Sequence, residues 1–283
     1  MQGKIVMVTG ASAGIGKITA QELARRGAHV VMVARSRERG EEALAEIQKA
    51  TGSHQLDLLL ADLSSQESIR QLAAEFRNRY SHLHVLVNNA GAFFMKRQES
   101  VDRLEMTFAL NHLGYFMLTN LLLDVVKAST PARIVNVSSM AHQQGRLDFT
   151  NLQNKKSYRG FQVYAQSKLA NLLFTYELAR RSEGSGVTVN ALHPGFVTSN
   201  FAKNNGAAAR LVMNLAGWLR VGRTPEQGAE TSIYLASSPE VAGVTGRYFI
   251  DKNAVHSSKA SYNESDARQL WQISEQLTGL EKG

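Results

Sequence analysis

Short runs of β-branched and aliphatic residues at 5–8, 30–33, 56–60, 85–87, 133–137 and 187–192 alternate along the chain with longer stretches at 14–26, 37–50, 66–80, 101–126 and 164–181. In those longer stretches apolar positions recur every three or four residues, the period of a helix with one buried face, whereas the short runs are predominantly apolar, and 5–8, 30–33 and 85–87 continuously so, as strands covered on both faces are. Strand-helix-strand repetition brings consecutive strands back in parallel. The pattern therefore predicts an α/β protein, a Rossmann-type doubly wound parallel sheet of at least six strands. Pro131, Pro194, Pro225 and Pro239 all fall at element boundaries, where a missing N–H costs little. No linker or internal repeat interrupts the rhythm, so residues 1–283 read as a single domain.

Two stretches depart from it. Residues 140–160 are a polar insertion, with Gln143, Gln144, Asn151, Asn154, Lys155 and Lys156 between a strand and a helix; insertions of this kind usually rim a ligand crevice. Residues 198–222 set Phe201, Leu211, Met213, Leu215 and Trp218 beside Lys203, Arg210 and Arg220. That stretch reads as a substrate lid, as a surface helix packed on the core, or as a patch touching a membrane. Residues 251–283 read as a C-terminal extension.

Composition narrows the class. With 43% hydrophobic and 20% charged residues the chain can bury a large core. The absence of cysteine excludes a disulfide framework, thiolate catalysis and any Cys-based metal site. Met1 leads directly into the first strand, so no signal peptide is expected, and the long uncharged run 106–123 carries Asn111, His112 and Asn120, which suits a buried helix better than a membrane span. A soluble, cytoplasmic protein is expected. Net charge is +8, and residues 127–223 hold thirteen Lys/Arg against Asp148, Glu177 and Glu183. Without an arginine-rich arm or aromatic platform this describes a solvated basic face rather than a nucleic-acid surface. His82 and His84 lack a third ligand nearby in sequence, so no metal is expected.

The first strand ends in Thr9-Gly10-Ala11-Ser12-Ala13-Gly14-Ile15-Gly16, directly before the first helix. Glycines there allow a tight turn and close approach of a pyrophosphate to the helix N-terminus. The spacing of Gly10, Gly14 and Gly16 excludes a nucleoside-triphosphate loop, and by itself leaves a methyl-donor-binding protein open. An acidic residue closing the second strand would take ribose hydroxyls, but this strand runs into Ala34-Arg35-Ser36. Arg35, with Ser12 beside the turn, suits a ribose phosphate, which favours NADP(H) over NAD(H).

Tyr164 and Lys168 stand four apart, one turn along a helix face. A phenol titrates near 10 and a neighbouring cation favours its ionised form, so the pair suits acid/base chemistry. Alone it would mean little. It stands, however, with Asn88-Asn89-Ala90-Gly91, Asn111, Ser138-Ser139 and Pro194-Gly195-Phe196-Val197-Thr198, most of them following strand ends.

On these five motifs, in order, the chain resembles the short-chain dehydrogenase/reductase family over about residues 4–250. The segments Arg133-Ile134-Val135-Asn136-Val137-Ser138-Ser139, Gln166-Ser167-Lys168-Leu169-Ala170-Asn171 and Ala191-Leu192-His193-Pro194-Gly195 are similar to its retinol dehydrogenase branch, which also holds the WW-domain oxidoreductase. The resemblance implies Tyr164 as proton donor, Lys168 as the group that lowers its pKa and holds the nicotinamide ribose, Ser139 as the residue orienting the carbonyl, and Asn111 as anchor of a water relay. It also implies cofactor contacts from Gly10, Ser12, Gly14, Ile15, Gly16, Arg35, Asp62, Leu63, Asn89, Ala90, Gly91, Pro194, Gly195, Val197 and Thr198, with Ser138 left to strand-end packing. The activity implied is NADP(H)-dependent interconversion of a lipophilic aldehyde or ketone and its alcohol, retinal-like, or of a steroid or quinone. Phe93, Phe94, Met95, Phe196, Phe201, Met213 and Trp218 would line an apolar substrate site. A catalytically weak NADP-sensing interaction protein is the rival reading; its mark is erosion of the Ser/Tyr/Lys set, which is complete here. The apolar helices 101–126 and 164–181 fit a homodimer and fit burial within the sandwich equally.

Overall fold

The computed structural model describes residues 1–197 and 222–281. Its centre is one eight-stranded sheet in the order β3-β2-β1-β4-β5-β6-β7-β8. The strands are β1 (Ile5–Thr9), β2 (His29–Ala34), β3 (Leu56–Leu60), β4 (Val85–Asn88), β5 (Ala132–Val137), β6 (Val187–His193), β7 (Tyr248–Ile250) and β8 (Asn253–Val255). Neighbours pair in parallel from β3 through β7, and β8 returns antiparallel on the edge. The six predicted strands are present, in doubly wound order; β7 and β8 extend the sheet. Because β1 pairs with both β2 and β4, the chain reverses its direction of winding there, and loops at the carboxyl ends of β1 and β4 diverge to leave a crevice.

Alternation along each strand builds two cores. Met7, Val31, Leu86 and Ile134 face one side and pack with Ile69, Leu72 and Phe76 of α3 (Gln66–Arg79), Tyr115 and Phe116 of α4 (Met106–Lys127) and Phe174 of α5 (Gly160–Arg181). Val6, Val8, Met32, Val87 and Val135 face the other and pack with Leu23 of α1 (Gly14–Arg25), Ile47 of α2 (Arg37–Thr51) and Leu235 of α6 (Pro225–Ser237). Helix starts are set locally. Ser36, Ser65 and Thr224 cap α2, α3 and α6 with their hydroxyls, and Thr224 and Gln227 complete a capping box.

Two predicted helices differ in their bounds. The helix expected at 101–126 begins at Met106, because the buried Glu105 carboxylate accepts the N–H groups of Thr107 (2.8 Å) and Phe108 (2.7 Å) and so fixes the first turn. The helix expected at 164–181 starts earlier, at Gly160, where a Cβ would press on the Phe94 carbonyl. The apolar faces of α4 and α5 are covered within the chain by α7 (Glu264–Thr278): Ala267 and Leu270 pack on Leu169 and Leu173, and Trp271 on Phe116 and Phe174. That internal cover is the physical source of the apolarity that also suited a helix-pair dimer. Helix α4 is long and apolar enough to cross a membrane, yet two-thirds of its apolar window, 67%, is buried inside the protein.

Candidate active site

The turn after β1 is shaped by what cannot fit there. Gly10 and Gly14 adopt φ of +66° and +56°, the left-handed region that other residues avoid. A Cβ on Gly10 would lie 2.9 Å from Ala90 Cα, and one on Gly16 would collide with the Gly10 carbonyl and the Asn89 amide. Helix α1 begins at Gly14 with no side-chain cap and no acidic residue in its first turn, so its N–H groups and the positive end of its dipole stay open toward the crevice. Ile15 packs its side chain beside Gly228 of α6.

Thr9, which opens the glycine-turn motif but was given no role in it, ties the two loops together. Its buried hydroxyl accepts the N–H of Asn89 (2.9 Å) and of Ala90 (3.0 Å), while Asn89 Nδ2 donates to the Thr9 carbonyl (2.8 Å). The signal available for it was a hydroxyl at the last position of an otherwise aliphatic strand. The Ala11 N–H donates to Val33 O (3.1 Å), which draws the glycine turn to the end of β2. There Ser12 is partly exposed and Arg35 is exposed, with no ion pair among the described residues; Ser36, next to it, is taken up as the α2 cap. Asp62 Oδ1 accepts from the N–H (2.9 Å) and hydroxyl (2.6 Å) of Ser64, so it shapes its own turn, and Leu63 is buried in the core. Glycine cradle, open helix start and unpaired guanidinium together fit a phosphate-bearing dinucleotide.

The polar cluster lies across the crevice, beyond β4 and β5. Lys168 is 3% exposed; its Nζ donates to Val137 O (2.9 Å) and sits 5.7 Å from the Tyr164 ring centroid. Tyr164 is partly exposed, hydrogen-bonded to Ser139, and edge-on to Phe93 at 5.9 Å. Ser138, by contrast, is buried and donates to the Lys168 carbonyl (2.8 Å), a packing role. Asn111 occupies a π-helical segment of α4, Ala109–Leu113, a widened turn common where a helix serves a site. Its Oδ1 accepts from Ala92 N (2.9 Å) and its Nδ2 donates to Ala92 O (3.0 Å) and to Ser167 Oγ (3.1 Å). A Cβ on Gly91 would stand 3.2 Å from Asn111 Oδ1 and 3.7 Å from Lys168 Nζ, so this glycine keeps open the space those two groups share. Ser167, also missed, bridges Asn111 to the Tyr164 carbonyl (2.7 Å).

Electrostatics here set burial against the expectation that Lys168 lowers the pKa of the phenol. Burial pushes Tyr164 up to about 12, with the Ser139 hydrogen bond opposing, and burial pushes Lys168 down to about 7. Both groups lose water together, and desolvation outweighs a cation held beside the ring face rather than at the hydroxyl.

The third wall follows β6. Pro194 leads to Gly195 at φ +86°, where a Cβ would collide with the Arg223 guanidinium, and Val197 bridges to Arg223. Thr198 and nearly all of the lid stretch, including Phe201, Met213 and Trp218, lie outside the described residues. Of the other proposed pocket residues, Phe94 is buried in the core, whereas Phe93 borders the crevice and Met95 and Phe196 are exposed (60% and 63%). Among the described residues no group of three or more His, Asp or Glu could hold a metal ion.

Sheet order and glycine turn define a dinucleotide-binding α/β fold. A family model described as short chain dehydrogenase matches residues 4–210. Human retinol dehydrogenase 11 is 46% identical over 282 residues, covering 99% of this chain and 87% of that protein, and human retinol dehydrogenase 14 is 44% identical, covering 100% and 88%. Among solved structures, an uncharacterised protein from Mycobacterium paratuberculosis superposes with a TM-score of 0.79 at 35% identity, covering 98% of this chain and 94% of that one. The NADP complex of Pseudomonas aeruginosa RhlG superposes at 0.69 with 29% identity, covering 88% and 94%. The chain belongs to the short chain dehydrogenase family, in its retinol-dehydrogenase-like branch, and is an oxidoreductase acting on CH–OH donors.

Proposed function

We propose that this protein uses NADP(H) to interconvert a lipophilic aldehyde or ketone and its alcohol, with a retinal-like substrate as the leading case. The observation that carries the reading is the meeting of Tyr164, Ser139 and Lys168 across one crevice from the glycine turn. A dinucleotide held by the glycine turn, Ser12 and Arg35 would supply or accept the hydride. In reduction, Tyr164 gives its proton to the substrate oxygen, which the Ser139 hydroxyl orients by a hydrogen bond. A phenol pushed up to about 12 is fully protonated near neutrality, the form that donation requires. The Lys168 ammonium stabilises the phenolate left behind, and proton return runs through the space shared by Lys168 and Asn111 beside Gly91.

Arg35 and Ser12 support the phosphate-bearing cofactor, since Arg35 is an uncommitted planar fork beyond β2 and no carboxylate stands at that strand end. An RhlG complex with NADP and an Escherichia coli short chain dehydrogenase complexed with NADPH agree with that preference. A lipophilic substrate is supported by Phe93 against the Tyr164 ring and by exposed Met95, Met140, Phe161 and Phe196. Those four follow β4, β5 and β6 or open α5, so they rim one edge of the sheet. Measured oxidation of NADPH across retinal, aliphatic aldehydes, steroid ketones and quinones, with NADH alongside, tests the reading. Turnover with retinal and NADPH at least tenfold above the other pairs is expected; no turnover with any carbonyl, in a protein that binds NADPH, refutes it.

A further inference from the structure

Ser139 is held by a residue for which the reaction above has no use. His142 is fully buried in the short helical turn Met140–Gln144 that follows β5. Its Nδ1 lies 2.6 Å from the Ser139 carbonyl oxygen, and its Nε2 lies 3.1 Å from the amide nitrogen of Ser258. A carbonyl only accepts and an amide N–H only donates, so both bonds exist together in one form alone: the neutral imidazole with its proton on Nδ1. Burial favours the same neutral form. The ring also meets Tyr248 of β7 edge-on at 5.1 Å, which fixes its plane.

This matters because a serine hydroxyl can act on a substrate only from one rotamer and one backbone position. Ser139 Oγ accepts the Ala141 N–H (3.2 Å) while bonding Tyr164, and His193 Nδ1 accepts the Met140 N–H (3.3 Å). Those contacts fix the residues after Ser139, whereas its carbonyl accepts the His142 backbone N–H (3.1 Å) and, on its other side, the imidazole that ties it to Ser258. Through Ser258 the grip reaches the C-terminal segment, where Ser257 hydrogen-bonds the Tyr176 hydroxyl of α5 (2.7 Å), so the imidazole joins the serine turn to a separately anchored stretch of backbone.

We propose that His142 is a positioning residue for the hydride-transfer reaction, clamping the Ser139 carbonyl to the Ser258 backbone so that the Ser139 hydroxyl is aimed at Tyr164 and the substrate oxygen. The inference rests on the role given to Ser139 above. A displacement of about 1 Å at a reacting group costs on the order of 100-fold in rate, enough to make such a clamp visible in turnover.

Three substitutions separate positioning from packing. His142→Phe keeps a ring against Tyr248 and loses both bonds. His142→Asn sets an amide N–H near the Nδ1 position and keeps the side-chain bond to Ser139, whereas His142→Gln reaches toward Ser258 and leaves the Ser139 carbonyl only the backbone N–H of residue 142. For carbonyl reduction, His142→Phe is expected to lower kcat about 30- to 100-fold with the KM for NADPH within about twofold. His142→Asn should recover to within about fivefold of wild type and His142→Gln should not. In a Ser139→Ala background, His142→Phe should cost less than about twofold more, because its effect passes through the serine. Wild-type kcat in His142→Phe, rescue by Gln equal to rescue by Asn, or full additivity in the double variant each overturns the proposal. If Ser139→Ala alone keeps wild-type kcat, the catalytic reading of the serine falls and the clamp with it; if Ser139→Ala is impaired while His142→Phe is not, the clamp alone falls.

Discussion

The two edges of the sheet are built from the same strands and do opposite things. At the carboxyl edge, β1, β4 and β5 run into Gly10, Asn89 and Ser138, a helix begins without a cap, and buried Lys168 and Asn111 point their polar ends into shared space. At the amino edge the helices end, and basic side chains stand in the last turns of α1 through α5, where they complement the negative dipole ends. That edge holds a cavity of about 920 Å³, lined by Lys4, His84, Arg133, Arg180 and Tyr262 among others. Three of its polar side chains are engaged with the protein itself: His84 Nδ1 accepts the Ile5 N–H (3.1 Å), Arg133 donates to Leu235 O (3.0 Å), and Arg180 pairs with Glu177 (2.7 Å). Volume and chemistry thus separate. What marks the carboxyl edge is directional polar groups left facing open space by strand ends, not the size of the hollow.

The contrast breaks most sharply at Tyr164. Tyr164→Phe removes only the proton-donating hydroxyl, and a lost general acid costs about 10²–10⁴ in kcat. A fall of that size in NADPH-dependent turnover is expected while NADPH still binds, as fluorescence titration would record; a fall below about tenfold removes Tyr164 from the mechanism. Next in size is Arg35→Ala. A charge-assisted bidentate contact is worth about 1.5–3 kcal/mol, so affinity for NADP should drop roughly 10- to 100-fold with affinity for NAD unchanged. Equal loss for both cofactors would take the ribose phosphate out of the account.

How much of this was legible in the sequence follows from the range of each interaction. The nucleotide half was written locally: Gly10, Gly14 and Gly16 directly follow a strand, and Ser36 and Ser65 cap the helices they precede. The Tyr164/Lys168 pair was legible for the same reason, being one turn of one helix. Thr9 bonding Asn89 and Ala90 joins residues 80 and 81 positions apart, and His142 meets Ser258 across 116. Thr9 and Asn89 each stand in a motif, but nothing in either motif says that the two meet, and His142 and Ser258 stand in none. The polar ladder under Lys168 is hidden likewise: Asn88 donates to Thr119 and Asn136 (2.9 Å each), and Asn136 to Thr175 (3.0 Å), linking two strands and two helices. Such bonds exist only once the sheet has assembled. The burial that acts on Tyr164 and Lys168 was hidden for a related reason, since desolvation depends on what the completed fold excludes.

Titration sharpens the comparison further. Burial pushes Lys168 down to about 7, so its charge is present below that pH and is lost as pH rises through it. The cation that stabilises the phenolate formed on proton donation disappears with it. Reduction is therefore expected to hold below about pH 7 and to decline about tenfold per pH unit above it, read as kcat at saturating cofactor. A flat profile from pH 6 to 9 would detach Lys168 from the proton step.

The smallest effect belongs to the amino edge and is the control on which the comparison depends. Arg133 is half-buried, its guanidinium held by the Leu235 carbonyl at the end of α6, and burial pulls it below its ordinary value. Arg133→Ala removes that hydrogen bond and the packing of the stem, a loss of about 1 kcal/mol. In a chain of this size that lowers Tm by about 2–4 °C. Since β5 carries Arg133 at one end and leads into Ser139 at the other, any influence on turnover would have to travel the length of the strand. The strand is pinned on both sides, by Leu86 and Val135 pairing with Ile134 and Asn190, so the displacement should die out before it reaches Val137. Turnover within about twofold of wild type, beside a measurable fall in Tm, is the expected pair of results; a tenfold loss of kcat would mean that the two edges are coupled through β5 and that the division between scaffold and chemistry drawn here is false.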